Sequence, residues 1–266
     1  MNIYRYELRR LRTSLLAWAI ALSLISCLFI SIYPAFSHDI TASRELLAQF
    51  PPVVRNALGL SLSAFFTFLG FYAYIFTYVT LAGAVQAMNL GLGVMVREDQ
   101  SKTTDFLLTK PITRRRIFIA KLAAAITILL ATFIVFCLAT ALLSWTIGAT
   151  TFDPAKFIIM NAMLLGIELW FLALGILVSQ LARKVRSVIA YTLSFVFGFF
   201  IIGVIGTIIG DDKIRYIAPF KYIDYLNYAT NGTIDVKYIM IGITLMLGMT
   251  LTGYALYIKR DKKAAI

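Results

Sequence analysis

One acidic residue stands inside an apolar run of this chain: Glu168, in the stretch LLGIELWFLAL. A carboxyl group there can carry a proton, hold a cation, or pair with a polar group on a neighbouring span. Leaving it in hydrocarbon costs roughly 2.5–3.5 kcal/mol, so such a residue is read first as functional. Asn161, earlier in the same run, is a weaker polar candidate. Hydrolysis or group transfer inside a membrane needs more than one carboxyl: two aspartates, a serine with a histidine, or an H-E-x-x-H zinc motif. The apolar runs hold none of these. The one histidine, His38, falls at the end of a run, and Cys27 and Cys137 read as isolated small hydrophobes rather than a disulfide or metal set. These features argue against a membrane-embedded enzyme. No G-x-x-x-x-G-K-S/T phosphate loop occurs anywhere, so the chain is not itself an ATPase.

The stretch from Arg97 to Lys121 is the second concentration of chemistry. It holds seven of the 25 Lys and Arg residues and three of the 13 acids, between two long apolar segments. Ser101 and Thr104-Asp105 precede an apolar triplet, Phe106-Leu107-Leu108. Pro111 ends that piece, because proline lacks a backbone donor and biases its predecessor away from helix. Thr113 is placed to cap a new helix opening with Arg114. The pattern is a short amphipathic helix, a break, and the start of a span. An interfacial hairpin held to lipid heads by Arg114, Arg115 and Arg116 is one reading. The other is a docking element, in which Phe106 and Leu107 fill a groove while Glu98, Asp105 and the arginines pair across an interface. Lipid heads are anionic and reward only basic residues. Interleaved acids, bases and apolar anchors suit a protein partner better.

These residues must be held by something, and composition says what. Hydrophobic residues make up 60% of the chain, mean hydropathy is +0.83 and only 14% of residues are charged, against about a quarter in soluble domains. The uninterrupted apolar runs cross a ~30 Å hydrocarbon core at ~1.5 Å per residue. We read an all-α membrane protein with one transmembrane domain over 1–266 and six spans, at about 15–36, 62–86, 119–148, 157–181, 188–209 and 238–258. The alternating ten-residue segments of a transmembrane barrel are missing. Residues 1–14 carry Arg5, Arg9, Arg10 and Arg12 and read as a short amphipathic helix at the interface. Span one is too long for a signal-peptide core and reads as retained. Gly91 and Gly93 mark the expected exit of span two.

Six spans put both termini, the 97–121 block and the Arg183–Arg186 turn on one side. That side holds 18 of the Lys and Arg residues and the other side 7, which assigns the first to the cytoplasm. Acids show no such bias, so the net charge of +12 is a topology signal and an attraction to lipid heads, not a nucleic-acid footprint. Short loops and six spans fit a prokaryotic inner or plasma membrane. Gly206 and Gly210 form a G-x-x-x-G at the end of span five, with Gly203 upstream, a pattern that lets helices approach closely.

The run Glu98…Ser101…Asp105-Phe106-Leu107-Leu108-x-x-Pro111-Ile112-Thr113-Arg114…Ile117-Phe118…Lys121 resembles the cytoplasmic loop of ABC-2-type transporter permeases. The departure is Lys102 before Thr103, where the family often has glycine. A second stretch, Ala218-Pro219-Phe220-Lys221-Tyr222-Ile223-Asp224-Tyr225, is similar to the family's segment between spans five and six. The resemblance implies a half-transporter: two permease chains, identical or paired with a sister chain, on two cytoplasmic ABC ATPase subunits that carry the ATP and Mg. This chain would then need no cofactor of its own. It implies a coupling helix over 98–110, with Glu98, Asp105, Phe106, Leu107, Pro111, Arg114 and Arg115 contacting the ATPase. It implies a re-entrant hairpin between spans five and six, a gating role for the N-terminal helix, and a substrate path near Gly206, Gly210 and Glu168. The competing reading is a secondary transporter or channel driven by an ion gradient through Glu168; such a carrier needs no docking helix.

Overall fold

The computed structural model describes residues 3–38, 65–100, 113–147, 152–182 and 184–259, with positions 45, 49–51 and 54 besides; the side chains of 36–38 and 97–100 lie outside the description. Its long helices are α1 (Ile3–His38), α2 (Phe68–Gln100), α3 (Arg114–Thr146), α4 (Pro154–Leu181), α5 (Val188–Ile209) and, after a short α6 (Tyr225–Asn231), α7 (Val236–Lys259). No strand occurs among the described residues. All six long helices are apolar enough to cross a membrane.

Helix ends follow local chemistry. Asp153 accepts the Ala155 N–H at 2.9 Å, and Pro154 follows it at the first helical position, so α4 starts there. Ser187 caps α5 in the same way through Ala190. At the other end of α5, Gly210 adopts φ 73° and its N–H reaches the Gly206 carbonyl at 3.0 Å. That left-handed cap is a conformation glycine takes without a Cβ penalty. Thr113 does sit at the N-cap of α3 in extended backbone, but its hydroxyl makes no capping bond. Its carbonyl instead accepts from Arg116 and Ile117.

Two helices run past their expected limits. No break falls near Ser14: the Arg-rich start and span one are one helix of 36 residues. Arginine and leucine are good helix formers, and neither proline nor glycine intervenes before Pro34. Helix α2 begins at Phe68 and continues through Gly91 and Gly93 to Gln100.

Helices α2 and α4 form the centre. Their spans are 83% and 72% buried, against 11–33% for the other four. One apolar cluster gathers Met88, Leu92, Phe118, Phe171 and Tyr257, and a second gathers Leu22, Tyr72, Phe76, Phe136 and Leu164. The tightest approach between the central helices is glycine on glycine. A Cβ on Gly91 would lie 2.4 Å from the Leu172 carbonyl oxygen, and one on Gly175 would lie 2.7 Å from that of Met88. The faces of α1, α5 and α7 turned outward carry exposed Leu, Ile and Phe, such as Leu24, Ile201 and Leu251.

Candidate functional site

Three regions hold the polar groups. The first is the waist between the two apolar clusters. Glu168 of α4 is fully buried there, and neither carboxyl oxygen has a hydrogen-bond partner among the described residues. Gly83 of α2 makes room for it: a Cβ on Gly83 would meet Glu168 Oε1 at 2.9 Å and Leu164 Cδ1 at 2.8 Å. Gln86, one turn further along α2, is also fully buried; its Nε2 donates to Thr132 Oγ1 of α3 at 3.0 Å, while its Oε1 has no partner. Nearer the far end, the Tyr72 hydroxyl donates to Asn161 Oδ1 at 2.6 Å. The polar groups of α2, α3 and α4 thus face inward along one seam. Asn161 has a structural partner and Glu168 has none, which separates two residues the sequence could rank only by charge.

The second region is the end at which α1 starts, α2 stops, α3 starts and α7 stops. Three contacts bring these ends together. The Tyr4 hydroxyl and Thr127 Oγ1 lie 3.0 Å apart, Arg114 donates to the Ile258 carbonyl at 3.4 Å, and Lys121 donates to the Val94 carbonyl at 2.8 Å. Phe118 packs between Tyr254 and Tyr257. The start of α1, the end of α7 and the start of α3 therefore lie together. Lys121 is fully buried and joins the last turns of α2 to α3; its only signal in the sequence is a lysine opening an apolar run. Arg115 and Arg116 are exposed. The side chain of Glu98, and all of Asp105, Phe106, Leu107 and Pro111, lie outside the described residues.

The third region is the opposite end, where residues 211–231 fold back between α5 and α7. A 3-10 turn at Asp212–Tyr216 and another at Pro219–Lys221 lead into α6. Gly206 seats Ile214, whose Cγ2 would be 2.6 Å from an added Cβ, and Gly203 seats the Lys221 stem at 3.3 Å. A Cβ added to Gly242 of α7 would lie 3.0 Å from the Tyr222 ring. Gly203 and Gly242 are each about 9 Å inside their helix ends at ~1.5 Å per residue, so the segment dips well below those ends. Phe220 reaches Phe171 of α4 at 5.1 Å between ring centroids, and Tyr225 reaches Phe76 of α2 at 5.1 Å. Burial lowers the pKa of Lys221, with Asp224 acting against that. Arg215 is fixed by Asp235 at 2.8 Å and by the Tyr238 ring at 4.1 Å. Gly206 and Gly210 thus serve this returning segment and the end of α5, and they lie on a different helix from Glu168.

No curated protein matches the chain. A family model described as "ABC-2 family transporter protein" matches residues 1–262, nearly the whole length. With six long apolar helices and a polar block between the second and third, this chain belongs to the ABC-2 transporter family and is a multi-pass membrane permease.

Proposed function

We propose that the chain is the permease subunit of an ATP-driven exporter, pairing with a second permease chain and coupled to separate cytoplasmic ATPase subunits in a prokaryotic inner or plasma membrane. One observation carries the coupling. Helices α2 and α3 each have 33 residues, about 50 Å at ~1.5 Å per residue, against a hydrocarbon core of ~30 Å. Residues Lys121 and Val94 tie the two helices together at their basic ends. In this reading helix extends beyond the bilayer on the side that carries Arg97 to Arg116, and the 98–110 segment is the part that meets a soluble partner. In this reading Phe106 and Leu107 enter a groove on the ATPase, Glu98, Asp105, Arg114 and Arg115 pair around it, and Pro111 sets the break before α3. The N-terminal part of α1 adds a second element on the same face. The 211–231 segment dips into the outer leaflet, its tyrosines at the interface. ATP and Mg belong to the partner. Outward transport follows from the family resemblance.

Pull-down from native membranes tests this. Tagged wild-type chain is expected to bring down a P-loop ATPase, and Phe106→Asp or Arg114→Glu to lose most of it while still folding. An ATPase retained at wild-type level by both variants contradicts the coupling role.

A second reading rests on Glu168, a buried carboxyl without a partner: an ion-gradient-driven carrier that loads its proton there. It leaves the length of α2 and α3 unexplained.

A further inference from the structure

Near the basic end, the start of α1 and the first turns of α3 enclose a groove of about 330 Å³. Tyr4 forms one wall, and Thr113, Arg115, Arg116, Ile119, Ala120 and Ala123 line the rest. Its rim and its floor differ in kind. The rim carries two exposed guanidinium groups. The floor is the Tyr4 ring, Ile119 and the two alanines, and Ile119 is 49% exposed. The Tyr4 hydroxyl is held to Thr127 Oγ1 at 3.0 Å, which keeps that ring in place against α3. Among the described residues, none that lines the groove is acidic.

We propose that this groove binds an anionic phospholipid from the leaflet at the basic end of the helices. The occupant must bring negative charge to the rim and hydrocarbon to the floor. Arginine forks bind phosphate oxygens in a two-point fashion. Ile119, Ala120 and Ala123 lie along the stretch of α3 that enters the apolar span, so a chain on them runs on into the bilayer. A soluble acidic peptide would satisfy the rim alone. The volume sits at the small end of the roughly 300–1,000 Å³ of ligand cavities, which suits a head group and the first part of a tail rather than a whole lipid. Such a lipid would join α1 to α3 where the N-terminal helix meets the proposed coupling face. The site needs only the membrane, so it stands apart from the ATPase reading, although Arg115 serves both.

The test uses the full chain in nanodiscs containing phosphatidylglycerol and phosphatidylcholine, with native mass spectrometry of the lipids that stay bound. Wild type is expected to retain phosphatidylglycerol selectively. The double variant Arg115→Gln/Arg116→Gln should lose roughly tenfold of that selectivity, and Arg115→Lys/Arg116→Lys should keep most of it. Ala120→Trp fills the floor with both charges left, so it should lose the lipid and keep any ATPase in the pull-down. Lys184→Gln removes an exposed positive charge outside the groove and should change little. Equal retention by wild type, the Gln double variant and Ala120→Trp overturns the proposal, as does equal loss in Lys184→Gln. If the Gln double variant loses the ATPase but keeps the lipid, the rim is a protein contact and the proposal is again wrong.

Discussion

Gly91→Leu is expected to abolish the folded chain, and Gly91→Ala and Gly175→Ala to lower its stability sharply. The reason is geometric. At this crossing the added carbon meets backbone on the opposite helix: the Leu172 carbonyl at 2.4 Å for Gly91, and the Met88 carbonyl at 2.7 Å with the Leu92 nitrogen at 3.0 Å for Gly175. A flexible side chain could step aside, whereas a helix backbone cannot without separating α2 from α4. Overpacking of this kind costs about 1–3 kcal/mol and more where no neighbour yields. These two helices are the most buried in the molecule, so their separation loosens both apolar clusters. Gly166→Ala and Gly248→Ala serve as controls, since nothing lies within 4 Å of the new carbon there. They are expected to match wild type or exceed it slightly, because alanine favours helix by up to ~1 kcal/mol over glycine. The double variant Gly91→Ala/Gly175→Ala should cost less than the sum of its parts, because one spreading of the crossing makes room for both; contacting sites couple by about 0.5–3 kcal/mol. Thermal melts in detergent compare these variants with the wild type. Gly91→Ala melting with the wild type would show that the crossing is looser than described.

Glu168→Arg is the second large effect. The carboxyl lies between the apolar clusters, fully buried, with Gly83 against it. A longer cation there overfills the space left by Gly83 and adds an insertion cost of about 2.5–3.5 kcal/mol. Little folded protein is expected. Glu168→Gln should behave very differently. It keeps the shape and removes the group's ability to ionise, and no partner is lost among the described residues, since neither oxygen has one. Its stability is expected within ~1 kcal/mol of wild type. The same variant separates the two functional readings. An ATP-driven permease with Glu168 as a packed polar residue keeps its transport in Glu168→Gln. A carrier that loads a proton at Glu168 loses gradient-driven transport while remaining folded.

Much of this was legible in the chain itself, and the gaps have physical causes. The six spans follow from apolar length, which hydrocarbon thickness sets directly. Their limits were harder, because charge marks where water begins and not where a helix stops. Arginines end the apolar run near Ser14 and yet extend α1 without a break. Gly91 looked like an exit signal and is the packing point of the central pair. The G-x-x-x-G spacing drew attention to Gly206 and Gly210, which seat Ile214 and cap α5. The tightest crossing uses one glycine from each of two helices far apart in sequence, and a lone glycine leaves no spacing to detect. Glu168 was conspicuous as the one charge within a span. Its setting against Gly83, with Gln86 and Thr132 in the same seam, depends on which helices face each other, and periodicity along one helix does not contain that. The stretch from Arg97 to Lys121 was the most informative for class, through its order of acids, apolar triplet, proline and arginines.

The most direct test of an ATP-driven permease is ATP hydrolysis that follows the chain. The tagged protein is purified gently from native membranes, and vanadate-sensitive ATPase activity is measured in the fractions that contain it. Since the chain has no phosphate loop of its own, activity that co-elutes with it, and that falls away in Phe106→Asp, is the predicted result. A chain that purifies folded and alone, without hydrolysis, and that moves solute only under a proton gradient would contradict it.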